Sequence, residues 1–133
     1  MRIRKVATRQ DVVREGDSPP RCCVVLEGYA CTYRDVSDGA RQILSFHVAG
    51  DMPDLHSLHL AHLHNSIGSI GSLTVGFIAN VDLHRICRDY PRVAAALWRL
   101  TLIDASIYKE WQQCRRPRRA NARPICFAKY TAG

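Results

Sequence analysis

Turn-forming residues recur through the first two thirds of this 133-residue chain at intervals of about ten, a cadence that admits only short strands. Gly16-Asp17 and the breaker pair Pro19-Pro20 close two short candidate strands, residues 3–7 and 11–14. Cys22-Cys23-Val24-Val25-Leu26 is an apolar run short enough for a buried strand, and Glu27-Gly28 stops it. Residues 29–34 resume extended structure. Asp35-Val36-Ser37-Asp38-Gly39 then supplies a hairpin turn in which Asp-Gly tolerates positive φ. The partner strand, 41–48, alternates Ile43, Ser45 and His47 against Gln42, Leu44 and Phe46, and Gly50-Asp51 closes it. Residues 66–79 alternate and β-branch enough for two further strands. Such a chain is mainly β: a sandwich, roll or barrel.

The period changes at Val81. Residues 81–89 suit a short helix, and Pro91 opens another at a first-turn position, where its missing N–H is not needed. Val93, Leu97, Leu100, Ile103 (or Asp104), Ile107 and Trp111 then recur every three to four positions, forming one long amphipathic helix with a heptad-like seam. Trp98, Leu102 and Tyr108 lie off that seam. A helix apolar on more than one face needs more than one partner surface, so the seam is expected to pair with a second copy in a homodimer. Pro117 ends the helix, and residues 118–133 show no sustained period, the pattern of a disordered extension. The chain thus divides into a β unit with a short helix (1–90), the long helix (91–114) and a basic tail (115–133).

Charge sharpens this division. The net charge of +7 suggests nucleic acid at first sight, but all twelve acids lie before residue 115, where 13 basic residues leave the body nearly neutral. Arg115, Arg116, Arg118, Arg119, Arg123 and Lys129 carry the excess. So short a run implies at most weak, salt-sensitive attraction to phosphate backbones. The six cysteines contain no CxxC pair, which removes the usual zinc and thioredoxin spacings. Met1-Arg2-Ile3-Arg4-Lys5 is not followed by an apolar signal segment, so reduced thiols in a cytoplasmic protein are expected. Residues 55–81 lack Asp, Glu, Lys and Arg, yet four histidines, four serines and two asparagines make them too polar for a membrane span.

The series Gly16-Asp17, Val25-Leu26-Glu27-Gly28-Tyr29, Asp38-Gly39-Ala40-Arg41-Gln42-Ile43-Leu44, Gly50-Asp51 and Asp54-Leu55 resembles the cyclic-nucleotide-binding effector domain of Crp/Fnr transcription regulators. Pro53-Asp54-Leu55-His56-Ser57-Leu58-His59 is similar to the alpha-proteobacterial branch. The resemblance spans roughly residues 10–113. It implies a β-roll, or double-stranded β-helix, followed by a long dimerisation helix. It also implies a phosphate-binding cassette after Gly50-Asp51, with backbone N–H groups facing an anion. Asp54 matches the acidic residue that takes the ribose hydroxyl. The arginine that pairs with the cyclic phosphate falls on His64-Asn65-Ser66, and no arginine lies between Arg41 and Arg85. Cassette candidates are therefore Asp54, Leu55, His56, Ser57, His64, Asn65 and Ser66. The effector stays open among a cyclic nucleotide, another small molecule and none. The family's winged helix-turn-helix finds no match after Cys114, so specific DNA binding by this chain alone is not expected. Nothing ahead of the roll matches the cysteines of the family's iron–sulfur members.

His56, His59, His62 and His64 fall within nine residues, and the first three share one face if helical. With Asp51 or Asp54 they offer nitrogen and oxygen ligands for a divalent metal, although no second segment contributes a ligand pair. His62-x-His64 is similar to part of the cupin motif, whose glutamate is missing. No nucleophile elbow, catalytic carboxylate pair or Gly-rich nucleotide loop points to an enzyme. Besides a sensor, the chain could serve as a heterodimer partner of intact paralogues or a cupin-like metal binder.

Overall fold

The computed structural model describes residues 1–115. Among them, β1 (Arg2–Val6), β2 (Asp11–Val13), β3 (Arg21–Asp35), β4 (Arg41–His47) and β5 (Ser66–Ala79) precede α1 (Asn80–Asp89) and α2 (Pro91–Arg115). A single 3-10 turn, Leu55–Leu58, lies between β4 and β5. Every pairing is antiparallel: the order is β1-β5-β3-β4, with β2 also on β5.

The strands expected at 22–26 and 29–34 are one strand, and the two expected within 66–79 are another. The reason lies at Gly28. Its φ of +88° lets β3 bulge, and register shifts at Val25/Glu27 and Glu27/Tyr29 bend the strand without taking it out of the ladder. A Cβ at Gly28 would overlap the Ser72 carbonyl oxygen, so the bend requires glycine. What reads as a turn in one dimension is a corner of the roll.

Period-two geometry splits the two adjacent cysteines. Cys23 points into the roll with Val6, Val25, Leu63, Ile67, Leu73 and Val75. Cys22 points the other way, into a second core with Met52, Leu55 and Leu83, against which Leu97 and Leu100 pack. The second core attaches the helices to the roll. Each fully buried aliphatic side chain contributes roughly 1.5–3 kcal/mol.

The two Gly-Asp pairs build the same corner twice. Gly16 N–H donates to the Leu63 carbonyl at 2.7 Å, and Leu63 N–H returns to the Asp17 carbonyl at 2.9 Å. Gly50 and Asp51 make the same exchange with Val25, at 2.8 and 2.9 Å. In each corner the Asp carboxylate accepts an N–H three residues back, from Arg14 at 3.0 Å and from Val48 at 2.9 Å.

Along α2, Ala94, Leu97, Leu100, Thr101, Asp104 and Ile107 are partly buried, whereas Trp98, Leu102 and Ile103 are exposed. This corrects part of the expected dimer seam: Leu97 and Leu100 pack on the chain's own second core, while Val93 and Ile103 remain outward. The 3.6-residue period marks an apolar stripe without saying which body it meets. The side chain of Trp111, and the basic tail beyond Arg115, lie outside the described residues.

Candidate functional site

Thr32 and Arg34 stand two apart on β3, and Ser45 and His47 two apart on β4. Cross-strand register sets Thr32 opposite Ser45. All four line a cavity of about 440 Å³. Met52, Pro53, Leu55 and His56 after the Gly50-Asp51 corner, His64 and Asn65 before β5, and Thr101, Asp104 and Ala105 of α2 line the rest. Roll and helix therefore enclose it jointly.

His47 is the buried polar centre of this wall, 4% exposed. Its Nε2 meets Thr32 Oγ1 at 2.7 Å and Ser45 Oγ at 3.2 Å, while its Nδ1 has no protein partner. Burial pushes the imidazole down to about 4, against the opposing pull of Asp51, so it is neutral at physiological pH. Burial also lowers His56. Asn65 Oδ1 and Asp54 Oδ2 are likewise buried without a partner among the described residues.

Two charged side chains face the same space. Among the described residues Arg34 Nη2 reaches only the His64 carbonyl, at 3.5 Å. Asp104 is pushed up to about 6 by burial, with the charge of Asp51 adding to the effect. Neither residue has an ion-pair partner among the described residues. Arg34 lies on β3, outside the cassette where the resemblance places the cation. The available signal was the alternation of Thr32 with Arg34, opposite that of Ser45 with His47.

Of the cassette candidates, Leu55, His56, His64 and Asn65 meet at the cavity. Asp54 differs from the expectation of an acid facing a ribose: it is fully buried, and its Oδ1 accepts the Cys23 N–H at 2.8 Å. Burial pushes its carboxyl up to about 6, although the Cys23 N–H opposes this. Ser57 Oγ lies 3.3 Å from Cys22 Sγ, and Ser66 Oγ accepts the Glu15 N–H at 2.9 Å. Both serve the roll.

A second, more apolar cavity of about 500 Å³ lies between the cassette, α1 and α2. It shares Leu55, His56 and Thr101 with the first. His59 stands edge-on to His84 there, ring centroids 5.7 Å apart. Among the described residues no three such side chains gather where they could hold a metal ion. No helix among them is long and apolar enough to cross a membrane.

Comparison with known proteins agrees with this architecture. The family model described as the cyclic nucleotide-binding domain matches residues 3–90. The fold is similar to FixK2 of Bradyrhizobium japonicum, with TM-score 0.72 and 21% identity over 87% of this chain and 57% of that one. It is also similar to the c-di-GMP-responsive global regulator CLP of Xanthomonas campestris (TM-score 0.71, 18% identity, 87% of this chain and 60% of that one). The catabolite activator protein of Thermus thermophilus gives a TM-score of 0.67 at 19% identity, over 84% of this chain and 55% of that one. The chain thus spans less than two thirds of these regulators' lengths. Among curated protein sequences none matches.

Proposed function

Because this chain belongs to the cyclic nucleotide-binding domain family, we propose that it is the effector-sensing domain of a transcription regulator, in which a small ligand sets the position of α2. One observation carries the reading: the cavity takes Thr32, Ser45 and His47 from the roll and Thr101, Asp104 and Ala105 from α2. A ligand spanning those walls binds one placement of the helix better than another, and that difference is the whole basis of a sensor. The role is binding, not catalysis.

The output runs through the outer face of α2. Trp98 is 70% exposed and Leu102 56%, too much apolar surface on one helix to leave in water. We assign this face to a second copy of the chain.

The test is calorimetric titration with cyclic AMP and cyclic GMP, combined with hydrogen exchange. Bound ligand is expected to slow exchange across residues 101–105 together with the cassette. Binding that leaves α2 exchange unchanged would overturn the sensor reading.

A further inference from the structure

The charges on the cavity walls restrict what can enter. Arg34 brings one fixed positive charge from β3, and Asp104 brings one acid from α2. The histidines facing the same space are His47, His56 and His64, with burial acting against the charged form of the first two. Among the described residues Arg34 is the one arginine in the cavity wall, and its guanidinium makes nothing stronger than a long contact with the His64 carbonyl. A guanidinium offers a planar fork suited to a phosphodiester or carboxylate. The remaining polar wall is uncharged: Thr32, Ser45, Asn65 and Thr101 offer hydroxyl and amide groups.

From this arrangement we infer that the cavity selects a ligand bearing a single negative charge, anchored by Arg34, while Asp104 discriminates against ligands bearing two. One negative charge is balanced by Arg34. A second would meet Asp104 with no further arginine or lysine among the described wall residues to offset it. Specificity here comes from a repulsive element as much as from an attractive one. For nucleotides this separates a cyclic phosphodiester, with one charge, from the open 5′-monophosphate, which carries nearly two above pH 7. The base and ribose are the same in both.

The inference rests on the cavity being the ligand site, and the experiment keeps the two apart. The full chain is titrated at pH 8, where Asp104 is ionised, with cyclic AMP, cyclic GMP, 5′-AMP and 5′-GMP. The same series is repeated for Arg34→Gln, Arg34→Lys and Asp104→Asn. The cyclic forms are expected to bind the unaltered protein at least about tenfold more tightly than the open forms. Arg34→Gln is expected to weaken cyclic-nucleotide binding at least about tenfold, with Arg34→Lys retaining part of it. Asp104→Asn is expected to narrow the cyclic-to-open ratio at least about fivefold. Arg34 is exposed, so its replacements are compatible with folding, and circular dichroism checks this. If no cyclic nucleotide binds the unaltered protein, the ligand-site reading falls and takes the inference with it. If they bind but Arg34→Gln leaves affinity unchanged, or Asp104→Asn leaves the ratio unchanged, the site stands and the charge selection is wrong.

Discussion

Asp54 Oδ1 accepts the backbone N–H of Cys23 at 2.8 Å, with both residues fully buried. Two residues on, Val25 N–H donates to the Asp51 carbonyl at 2.9 Å. Alternate N–H groups of β3 face the same side, where no strand among the described residues continues the sheet at this level. The corner carbonyl and the cassette carboxylate take its place. Asp54 is in this sense a substitute for a strand.

That role has a pH signature. The carboxyl of Asp54 sits at about 6 in the folded protein against an ordinary value of 3.8, because burial disfavours its charged form. The folded state therefore holds the proton more tightly. The stabilising contribution is complete below the ordinary value and is lost as pH rises through 6. Above that, the buried charge costs on the order of 3 kcal/mol. Urea midpoints at pH 5 and pH 7 should show a smaller alkaline loss for Asp54→Asn than for the unaltered protein. The opposite contribution of His47 is common to both and cancels. A loss of equal size in the two proteins would contradict the placement.

Gly28 and Gly39 both have positive φ, +88° and +75°, but only Gly28 is pressed against backbone. Gly28→Ala should destabilise by roughly 3 kcal/mol or more, combining overlap with the Ser72 carbonyl and left-handed strain. Gly39→Ala, whose Cβ meets nothing within 4 Å, should cost about 1 kcal/mol. Denaturant unfolding of the two variants side by side measures the difference.

Cys22 is pushed up to about 11 by burial, and burial raises Cys23 further. Both are fully buried, while Cys87 is partly exposed. Iodoacetamide at pH 7.5 should modify Cys87 well before Cys22 or Cys23, which react only on unfolding. Peptide mapping after timed quenching gives the order.

Leu97 and Trp98 are neighbours with opposite duties. Leu97→Ala should lower stability by about 2 kcal/mol by loosening the second core. Trp98→Ala combined with Leu102→Glu should shift the protein toward monomer, read by sedimentation, with little loss of secondary structure. An unchanged sedimentation coefficient would remove this face from the proposed interface.

Much of the fold was legible because turn chemistry is local. Each Gly-Asp pair forms its corner from a glycine with free φ and an aspartate that bonds three residues back, so the pair announces itself in any chain. The start of α2 at Pro91 is local in the same way. Bends are less legible: Glu27-Gly28 reads as a stop, and only the β5 partner shows that β3 continues through it.

Local spacing was enough to read a β-roll with a long terminal helix, its family and a cassette without arginine. Tertiary structure alone decided that Asp54 faces Cys23, that Leu97 faces the roll, and that Arg34 joins Asp104 at one cavity. The physical reason is that periodicity fixes which side chains share a face of their own element. Which body that face meets depends on register and packing between segments far apart in the chain, and neither is written in local spacing.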